Sequence, residues 1–345
     1  MNLNQDYSKL DPSGVEFALK SFSDQILTTF DQSVSSNIPK LDFDNIIISG
    51  MGGSSNAGKI IQSLLEPDYG KAVVVYNDYE LPAWVNDRTL VIVNSYSGNT
   101  EESLSAIKTA KGVKSKTVAI ATGGQIGQMI DRADIYGCII DPKDTNPTGF
   151  PKTGLGISIG ALLGIMVCLD ILKLTRQDLE QTLNQIKSIK ESWDAKDMAE
   201  KLHGYIPMLF SGRPLLGGLN AGRNAMCEIS RNFTEFYDFP EVNHVLVEAM
   251  QKPDAALKKY ALFFESQLNN QRVLLRYEVT KEILKEQGIN FESYKLKSTT
   301  LLGQLLELAH YCAWLGFYIS ILDDCDPGPE PWIIKLKSAL SQPTH

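Results

Sequence analysis

A short segment rich in hydroxyl groups has the residue types best suited to bind a ligand. Ser95-Tyr96-Ser97-Gly98-Asn99-Thr100 follows a run of apolar β-formers and precedes a helical pattern. The free N–H groups and the positive dipole end at a helix start favour an anion. Because the segment holds no Lys or Arg, hydroxyls and amides would bind this anion, which favours a phosphate monoester over a polyphosphate with magnesium. The candidate phosphate-binding side chains are Ser95, Ser97 and Thr100.

A glycine-rich segment upstream has the same position between a strand and a helix. Gly50-Met51-Gly52-Gly53-Ser54-Ser55 follows an apolar run and precedes a second helical pattern. Glycine lets the backbone approach a ligand closely, so Gly53 and Ser54 are further candidates. Ser55 stands where the dinucleotide fingerprint needs a third Gly, and Lys59 lacks the spacing of a Walker loop. The two segments together therefore predict a site for a small phosphate rather than a nucleotide.

The side chains that could transfer protons lie in the second half of the chain. Glu228 falls in a helical pattern, and His244 falls in a loop that contains Pro240 and Asn243. A carboxylate on a helix and an imidazole on a loop can converge on one pocket and move protons at a sugar. Taken alone, a helical Glu is usually a solvated surface charge, so the residues themselves favour His244 over Glu228. His310 lies in an apolar helical pattern and is predicted to pack in the core.

The elements that position these residues form an α/β pattern. Alternating strands and helices predict a parallel sheet covered on both faces, with ligands at the carboxyl ends of the strands. In the first half, strands are predicted near residues 45–49, 72–76, 89–94, 117–121 and 137–140. Helices are predicted near residues 13–34, 54–65, 100–111, 124–131 and 154–173.

A polar helical segment over residues 176–202 connects this half to a second α/β pattern. Its strands are predicted near residues 206–211, 234–237, 259–264 and 292–296. Its helices are predicted near residues 219–231, 269–287 and 299–322. A last helix is predicted after the proline-rich turn at residues 327–331, since Pro is favourable at a helix start.

Length and composition limit the function classes. The chain has 345 residues, of which 43% are hydrophobic and 21% charged, as in a soluble globular protein with room for two domains. A net charge of −8 argues against a nucleic-acid partner. The cysteines are dispersed and the first residues lack a signal-peptide pattern, so reduced thiols and a cytoplasmic location are expected. The apolar stretch Gly154 to Leu172 is interpreted as a buried helix, and no membrane partner is expected.

The motifs of the two halves resemble those of one known family. The segments at residues 50–54 and 95–100 resemble the ligand loops of the sugar isomerase (SIS) domain, a flavodoxin-like module that binds phosphosugars. The whole chain is similar to the bifunctional phosphoglucose/phosphomannose isomerase family, a tandem pair of SIS domains. In that family a catalytic Glu precedes a Pro-Glu-x-x-His loop at the spacing that separates Glu228 from His244 here. A proline-rich turn then precedes an Ile-x-x-Leu-Lys segment, whose Lys matches Lys337.

The resemblance implies an α/β fold with two flavodoxin-like SIS domains, each a parallel sheet flanked by helices. The first domain, with an N-terminal helix, is predicted over residues 1–175, a helical connection over 176–200, and the second domain with a C-terminal helix over 201–345. The resemblance also implies a homodimer with its active site at the subunit interface, because in this family the His comes from the partner subunit.

The activity implied by the resemblance is isomerisation of glucose 6-phosphate or mannose 6-phosphate to fructose 6-phosphate through an enediol, a reaction of glycolysis. Glu228 would move a proton between C2 and C1, and His244 with Lys337 would assist ring opening. The 6-phosphate would bind Ser54 and the hydroxyls of residues 95–100. This chemistry requires neither a metal nor a redox cofactor, so none is predicted.

The sequence departs from the family pattern near these residues. Cys227 replaces an Asn before the catalytic Glu, Arg231 replaces a Lys, and Val245 replaces an Asn. Replacing Lys by Arg keeps the charge but not the geometry. Residues 147–152 lack an Arg that the family carries near the reacting end of the sugar, and Lys152 is the candidate to replace it.

These departures leave an alternative function open. A non-catalytic SIS protein that binds a phosphosugar as a sensor or regulator would keep the phosphate loops without turnover. The missing Arg favours this alternative, whereas Glu228, His244 and Lys337 argue against it. The isomerase half of an amidotransferase is a weaker third alternative, because such enzymes pair this fold with a glutaminase domain.

Overall fold

The first half of the chain forms a five-stranded parallel sheet. The computed structural model describes residue 3 and residues 6–252 and 258–340. The strands are β1 (Asn45–Ser49), β2 (Val73–Tyr76), β3 (Thr89–Ser95), β4 (Lys116–Ala121) and β5 (Tyr136–Ile139). They lie in the order β2-β1-β3-β4-β5, which is the doubly wound order of flavodoxin-like sheets. The order reverses between β1 and β3, and the two candidate phosphate segments follow these two strands.

Helices cover this sheet and bury its apolar strands. They are α1 (Val15–Lys20), α2 (Phe22–Val34), α3 (Gly52–Leu65), α4 (Glu101–Gly112), α5 (Gly124–Asp131) and α6 (Leu155–Cys168). Every residue of β3 is buried, as a continuous apolar run predicts for a strand covered on both faces. α6 is apolar all round because it packs against both α2 and α3.

The single helix predicted over residues 13–34 is wrong in one respect. The chain divides it into α1 and α2 at Ser21, whose φ and ψ are −80° and 0°. The Ser21 hydroxyl donates a 3.0 Å hydrogen bond to the carbonyl of Phe17, and such local bonds compete with the helix backbone. The prediction for α6 is too long by several residues, because the helix ends at Cys168 and Asp170 adopts a left-handed φ of 55°.

Two helices, α7 (Arg176–Lys190) and α8 (Ala195–Leu202), join the halves. The polar pattern predicts a connection, and the structure adds that one face of it belongs to the core. Leu179, Leu183 and Ile186 are buried in α7, which packs against α2. Residues 1–2 and 341–345, the outer ends of the two predicted domains, lie outside the described residues.

The second half forms a four-stranded parallel sheet, as its α/β pattern predicts. Its strands are β6 (Ile206–Gly212), β7 (Glu235–Phe239), β8 (Lys259–Glu265) and β9 (Asn290–Lys295), in the order β7-β6-β8-β9. Its helices are α9 (Leu216–Ser230), α10 (Gln271–Glu286), α11 (Leu301–Leu322) and α12 (Pro331–Leu340). The chain is therefore an α/β protein with two parallel sheets flanked by helices.

α11 is the central helix of the second half. It is long and apolar enough to cross a membrane, but 89% of its apolar window is buried inside the molecule, as in the core helix of a globular domain. His310 on α11 is buried, with Nε2 2.8 Å from the carbonyl oxygen of Leu19, which confirms its predicted place in the core. α9 packs against both α11 and α3, so the helix of Glu228 contacts the helix that follows the first phosphate segment.

Candidate active site

The serine loop, residues 95–100, joins the carboxyl end of β3 to α4. Ser95 Oγ donates a 3.2 Å hydrogen bond to Thr100 Oγ1, and Ser97 Oγ accepts one of 3.3 Å from the N–H of Asn99. α4 has no side-chain cap, so its first N–H groups face this loop without a side-chain acceptor. The structure thus places the predicted phosphate-binding hydroxyls at one helix start.

Gly98 allows the serine loop to turn tightly. Its φ of +67° lies in the left-handed region, which glycine adopts without strain. A Cβ at this position would lie 1.9 Å from the carbonyl oxygen of Gly123. The same neighbouring segment holds the loop from outside, because the N–H of Gln125 donates a 3.0 Å hydrogen bond to Asn99 Oδ1. A larger residue at position 98 would therefore displace the loop.

The glycine loop, residues 50–55, lies against the serine loop. The N–H of Tyr96 donates a 3.1 Å hydrogen bond to Ser54 Oγ. The side-chain amide of Asn94 donates one of 3.0 Å to the carbonyl of Ser54. Ser54 is buried, and its hydroxyl accepts this bond without donating one to another described residue. The prediction that Ser54 and the serine loop form one site is consistent with this geometry.

A third segment, residues 146–154, contacts both loops. Asn146 Nδ2 donates a 2.9 Å hydrogen bond to the hydroxyl of Tyr96 in the serine loop. On the other side, a Cβ on Gly53 would lie 3.4 Å from the carbonyl oxygen of Pro151. This segment lacks the Arg of the family pattern. It forms one wall of the candidate site and lies beside both the glycine loop and the serine loop, which are together the candidate phosphate loops.

Lys152 extends from this wall to the helix of the candidate base. Its Nζ donates a 3.1 Å hydrogen bond to the backbone carbonyl of Glu228. Its side chain is 1% exposed and pairs at 3.6 Å with Glu330, which lies just before α12. Burial lowers the pKa of the Lys152 ammonium, and the charges of Glu330 and Glu228 oppose that shift. The segment that holds the candidate replacement for the Arg therefore reaches Glu228.

Glu228 lies on a polar face of α9, the polar stripe, which contacts α3, the helix that follows the glycine loop. Three residues spaced four apart share one face of the helix: Asn220, Asn224 and Glu228. Asn56 Oδ1 on α3 accepts hydrogen bonds of 2.8 Å and 2.6 Å from Asn220 and Asn224. The N–H of Gly217, earlier on α9, binds Ser63, later on α3. The two helices are therefore antiparallel, and Glu228 lies toward the start of α3.

The surroundings of Glu228 raise its pKa from 4.5 to about 7. Burial is the largest cause and the carboxylate of Glu330 the second, whereas the charges of Lys152, Arg223 and Lys337 oppose the shift. No hydrogen bond joins the Glu228 carboxyl to another residue in the described part of the chain. A carboxyl group with a pKa near neutrality and free oxygens is suited to act as a general base.

The other two predicted catalytic residues are placed differently. Lys337 lies on the exposed helix α12, close enough to Glu228 to lower the pKa of that carboxyl. His244 is exposed at the end of the short 3₁₀ helix Glu241–His244, beyond the edge strand β7. No hydrogen bond or ion pair joins the His244 imidazole to the side chain or backbone of any described residue. Within one chain, the structure brings Lys337 but not His244 to Glu228.

Arg223 is a further candidate site residue that the sequence motifs do not reveal. Its Nε is buried with no hydrogen-bond partner among the described residues, and its guanidinium lies 5.3 Å from the centre of the Phe236 ring. No carboxylate pairs with it in the described structure. A partly buried guanidinium with unused donors is suited to bind an anionic oxygen. In the sequence, its role is indicated only by its position directly before Asn224, a residue of the polar stripe of α9.

The side chains of this site can bind an anion and move a proton. Hydroxyls and backbone amides line the two phosphate loops, and a carboxyl group lies beside three cationic side chains. Within residues 6–252 and 258–340, no three His, Cys, Asp or Glu side chains are grouped as ligands for a metal ion. The described groups therefore suit phosphate binding and general acid–base chemistry.

Comparison with known families divides the chain at the same place as the two sheets. Residues 42–154 match the SIS domain, and residues 191–340 match the bacterial phospho-glucose isomerase C-terminal SIS domain. The bifunctional phosphoglucose/phosphomannose isomerase of Aquifex aeolicus is 30% identical over 304 residues, which cover 87% of this chain and 91% of that protein. The protein of the same name from Caldicellulosiruptor bescii is 28% identical over 328 residues, covering 90% and 94%.

Solved structures share the fold at low sequence identity. Tagatose-6-phosphate ketose/aldose isomerase from Escherichia coli superposes with a TM-score of 0.68 at 13% identity, over 92% of this chain and 94% of that chain. The C-terminal domain of glucosamine-fructose-6-phosphate aminotransferase from Francisella tularensis gives 0.66 at 15% identity, over 91% and 98%. These two similarities confirm the fold predicted from the strand and helix pattern.

Proposed function

The chain belongs to the bifunctional phosphoglucose/phosphomannose isomerase family, and we propose that it interconverts glucose 6-phosphate and mannose 6-phosphate with fructose 6-phosphate. The observation that carries this proposal is the position of Glu228. Its backbone carbonyl accepts a hydrogen bond from Lys152. Pro151, the residue before Lys152, lies beside the glycine loop, since a Cβ on Gly53 would be 3.4 Å from its carbonyl oxygen. A general base therefore lies beside a phosphate site, as isomerisation of a sugar phosphate requires.

The 6-phosphate binds at the start of α4. Ser97 and Thr100 present accessible hydroxyls there, and Ser54 retains a hydroxyl proton that it does not donate to another described residue. The N–H of Gly53 and the dipole of α4 add to the attraction for the anion. Binding at this point fixes the far end of the open-chain sugar, so that its reacting carbons extend toward α9.

Glu228 transfers the proton from C2 to C1. Its carboxylate takes the proton from C2 of the aldose. The electron pair of that C–H bond forms the C1–C2 double bond, and the π pair of the C1 carbonyl moves to O1, which gives the enediolate. The carboxylic acid then returns the proton to C1, while a proton moves from O2 to O1, which gives the ketose. A pKa of about 7 lets one group accept and return the proton near neutral pH.

Arg223 stabilises the negative oxygens of the enediolate. The C2 proton of a sugar is weakly acidic, so the site needs donors for the charge that develops when it leaves. Arg223 is near enough to Glu228 to lower the pKa of that carboxyl, and its buried Nε is unpartnered among the described residues. Lys152 is committed to Glu228 and Glu330, so Arg223 is the better replacement for the family's Arg.

Two subunits complete each site. α12 exposes an apolar surface, with Trp332 74% and Leu336 59% accessible, and Val245 beside His244 is 68% accessible. These surfaces suit contact with a second copy of the chain. In that arrangement, His244 of the partner subunit assists ring opening together with Lys337. The proposed reaction is a step of glycolysis. A cytoplasmic location is part of the same proposal and is supported by the five free cysteines.

A coupled assay tests the proposed function. The purified protein is given fructose 6-phosphate, and the formation of glucose 6-phosphate and of mannose 6-phosphate is followed with separate coupling enzymes. Both products are expected from the wild type, and neither from Glu228→Gln, which keeps the volume of the side chain but cannot act as a base. Binding of fructose 6-phosphate without either product would overturn the proposal in favour of a phosphosugar sensor.

A further inference from the structure

A buried ion pair, formed by Lys152 and Glu330, contacts the backbone of Glu228. We propose that Glu330 and Lys152 are positioning residues that together fix the place and the charge of Glu228, an inference that rests on the proposed function. Lys152 binds the backbone of Glu228, and Glu330 holds Lys152. The pair links three segments of the chain: residues 146–154, the end of α9, and the turn before α12.

The geometry leaves Lys152 little freedom. Its side chain is 1% exposed, that of Glu330 is 18% exposed, and their charged groups are 3.6 Å apart. The second partner of Lys152 is the carbonyl of Glu228 at 3.1 Å. Removing one member of a buried pair leaves an uncompensated charge, which costs more than the pair itself contributes. The two charges therefore depend on each other, and Lys152 acts on the reaction through Glu228.

The turn that carries Glu330 is itself held in place. The N–H of Ile334 donates a 3.0 Å hydrogen bond to the carbonyl of Glu330, which starts α12. Arg231, at the end of α9, donates to the carbonyl of Asp326. A Cβ on Gly328 would lie 3.1 Å from the ring of Phe150. Glu330 is thus fixed relative to both α9 and residues 146–154.

The charges that face Glu228 come from several elements. Glu330 reaches it from the turn, Lys152 from residues 146–154, Arg223 from α9 itself and Lys337 from α12. Arg231 faces Lys152 in turn. Glu330 is the one negative group in this set, so it balances the cations and favours the protonated form of Glu228. Loss of Glu330 and loss of Lys152 should therefore have opposite effects on the base.

The pH dependence of kcat/KM separates these effects, because its acid limb reports the pKa of the base in the free enzyme. In Glu330→Gln the cations remain, and the limb is expected to move to lower pH by about one unit. In Lys152→Met the limb is expected to move to higher pH by about the same amount. The double variant removes both charges and is expected to lie close to the wild type. A purely structural pair would reduce kcat in every variant and leave the limb unmoved.

Glu286→Gln supplies the matched control. It makes the same change in charge at an exposed position on α10, and its acid limb should coincide with that of the wild type. The proposal would be overturned if the acid limbs of Glu330→Gln and Lys152→Met coincided, or if both moved in the same direction relative to the wild type. If Lys152→Met fails to fold, the acid limbs of Glu330→Gln and of the double variant still test the proposal.

A second measurement does not need turnover. The pKa of Glu228 is obtained from the pH dependence of the unfolding free energy, by comparing each background with the same background carrying Glu228→Gln. A pKa that falls in the Glu330→Gln background supports the pair even if the wild type shows no isomerase activity. Turnover with no shift in either measurement rejects the pair and leaves the proposed function intact.

Discussion

Asn224 donates a 2.6 Å hydrogen bond from Nδ2 to Oδ1 of Asn56, and this contact joins the two halves of the molecule one helical turn before Glu228. Asn56 is buried and accepts a second hydrogen bond from Asn220. The proposed phosphate loops belong to the first half and the proposed base, Glu228, belongs to the second. The separation of the two loops from Glu228 therefore depends on side-chain contacts between α3 and α9.

Asn56→Ala is expected to weaken both the fold and the reaction. It leaves the buried amide of Asn220 and the partly buried amide of Asn224 without their shared acceptor, which should lower the unfolding free energy by about 2 kcal/mol. kcat should fall as Glu228 loses its alignment. Asn290→Ala, at an exposed position, is the control and should change both quantities little. Denaturant unfolding and steady-state kinetics check the prediction, and equal effects of the two substitutions would contradict it.

Gly98→Ala is expected to abolish tight binding of the sugar phosphate. The new Cβ would meet the carbonyl oxygen of Gly123, and the backbone φ of +67° is strained for alanine. Affinity for fructose 6-phosphate, measured by calorimetry, should fall at least about tenfold, with a loss of about 2 kcal/mol in stability. A Cβ at Gly112, at the end of α4, meets nothing within 4 Å. Gly112→Ala should therefore bind normally, and similar affinities for the two variants would refute the loop geometry.

Ser97→Ala is expected to change KM rather than kcat. The phosphate does not react, so a lost contact with it weakens substrate and transition state equally. KM should rise about tenfold while kcat stays within a factor of about three. Ser103→Ala is the matched control on α4, because the Ser103 hydroxyl is buried and has no partner among the described residues. Its KM should equal that of the wild type. A drop in kcat alone for Ser97→Ala would show that the phosphate binds elsewhere.

Glu228→Gln is expected to stabilise the fold at alkaline pH while it removes turnover. The folded pKa of about 7 lies above the ordinary value of 4.5, so the folded state keeps a proton that the unfolded chain loses between these values. The corresponding stability is complete below the lower pKa and is lost as pH rises through the higher one. Between pH 4.5 and pH 8, the unfolding free energy of the wild type should fall relative to the variant by up to about 3 kcal/mol. A difference that is independent of pH would show that Glu228 titrates normally.

The sequence predicts those parts of the fold that depend on local patterns. β1 and β3 are apolar runs buried on both faces, and the loops that follow them contain the Gly and Ser residues that such turns need. The break at Ser21 was not predictable from apolar spacing, because it depends on one side-chain hydrogen bond. The burial of one face of α7 depends in the same way on helices distant in the sequence.

The site, like the fold, has parts that local sequence predicts and parts that depend on contacts between distant residues. The predicted phosphate residues are local to two loops, and the structure places them together. The contacts of Lys152 with Glu228 and Glu330 join residues far apart in the chain, so no spacing rule could have indicated Glu330. Arg223 is likewise defined by what surrounds it rather than by a motif. The place of His244 stays a prediction, since it depends on a second subunit.

The transfer of deuterium from C2 tests the role of Glu228 most directly. Glucose 6-phosphate labelled with deuterium at C2 is incubated with the enzyme in ordinary water, and the label is followed by NMR. The wild type should release part of the label to water and deliver part to C1 of fructose 6-phosphate, because one carboxyl group carries the proton. Glu228→Gln should do neither while it binds fructose 6-phosphate with nearly unchanged affinity. Transfer or release of the label by Glu228→Gln at a rate near that of the wild type would contradict the account.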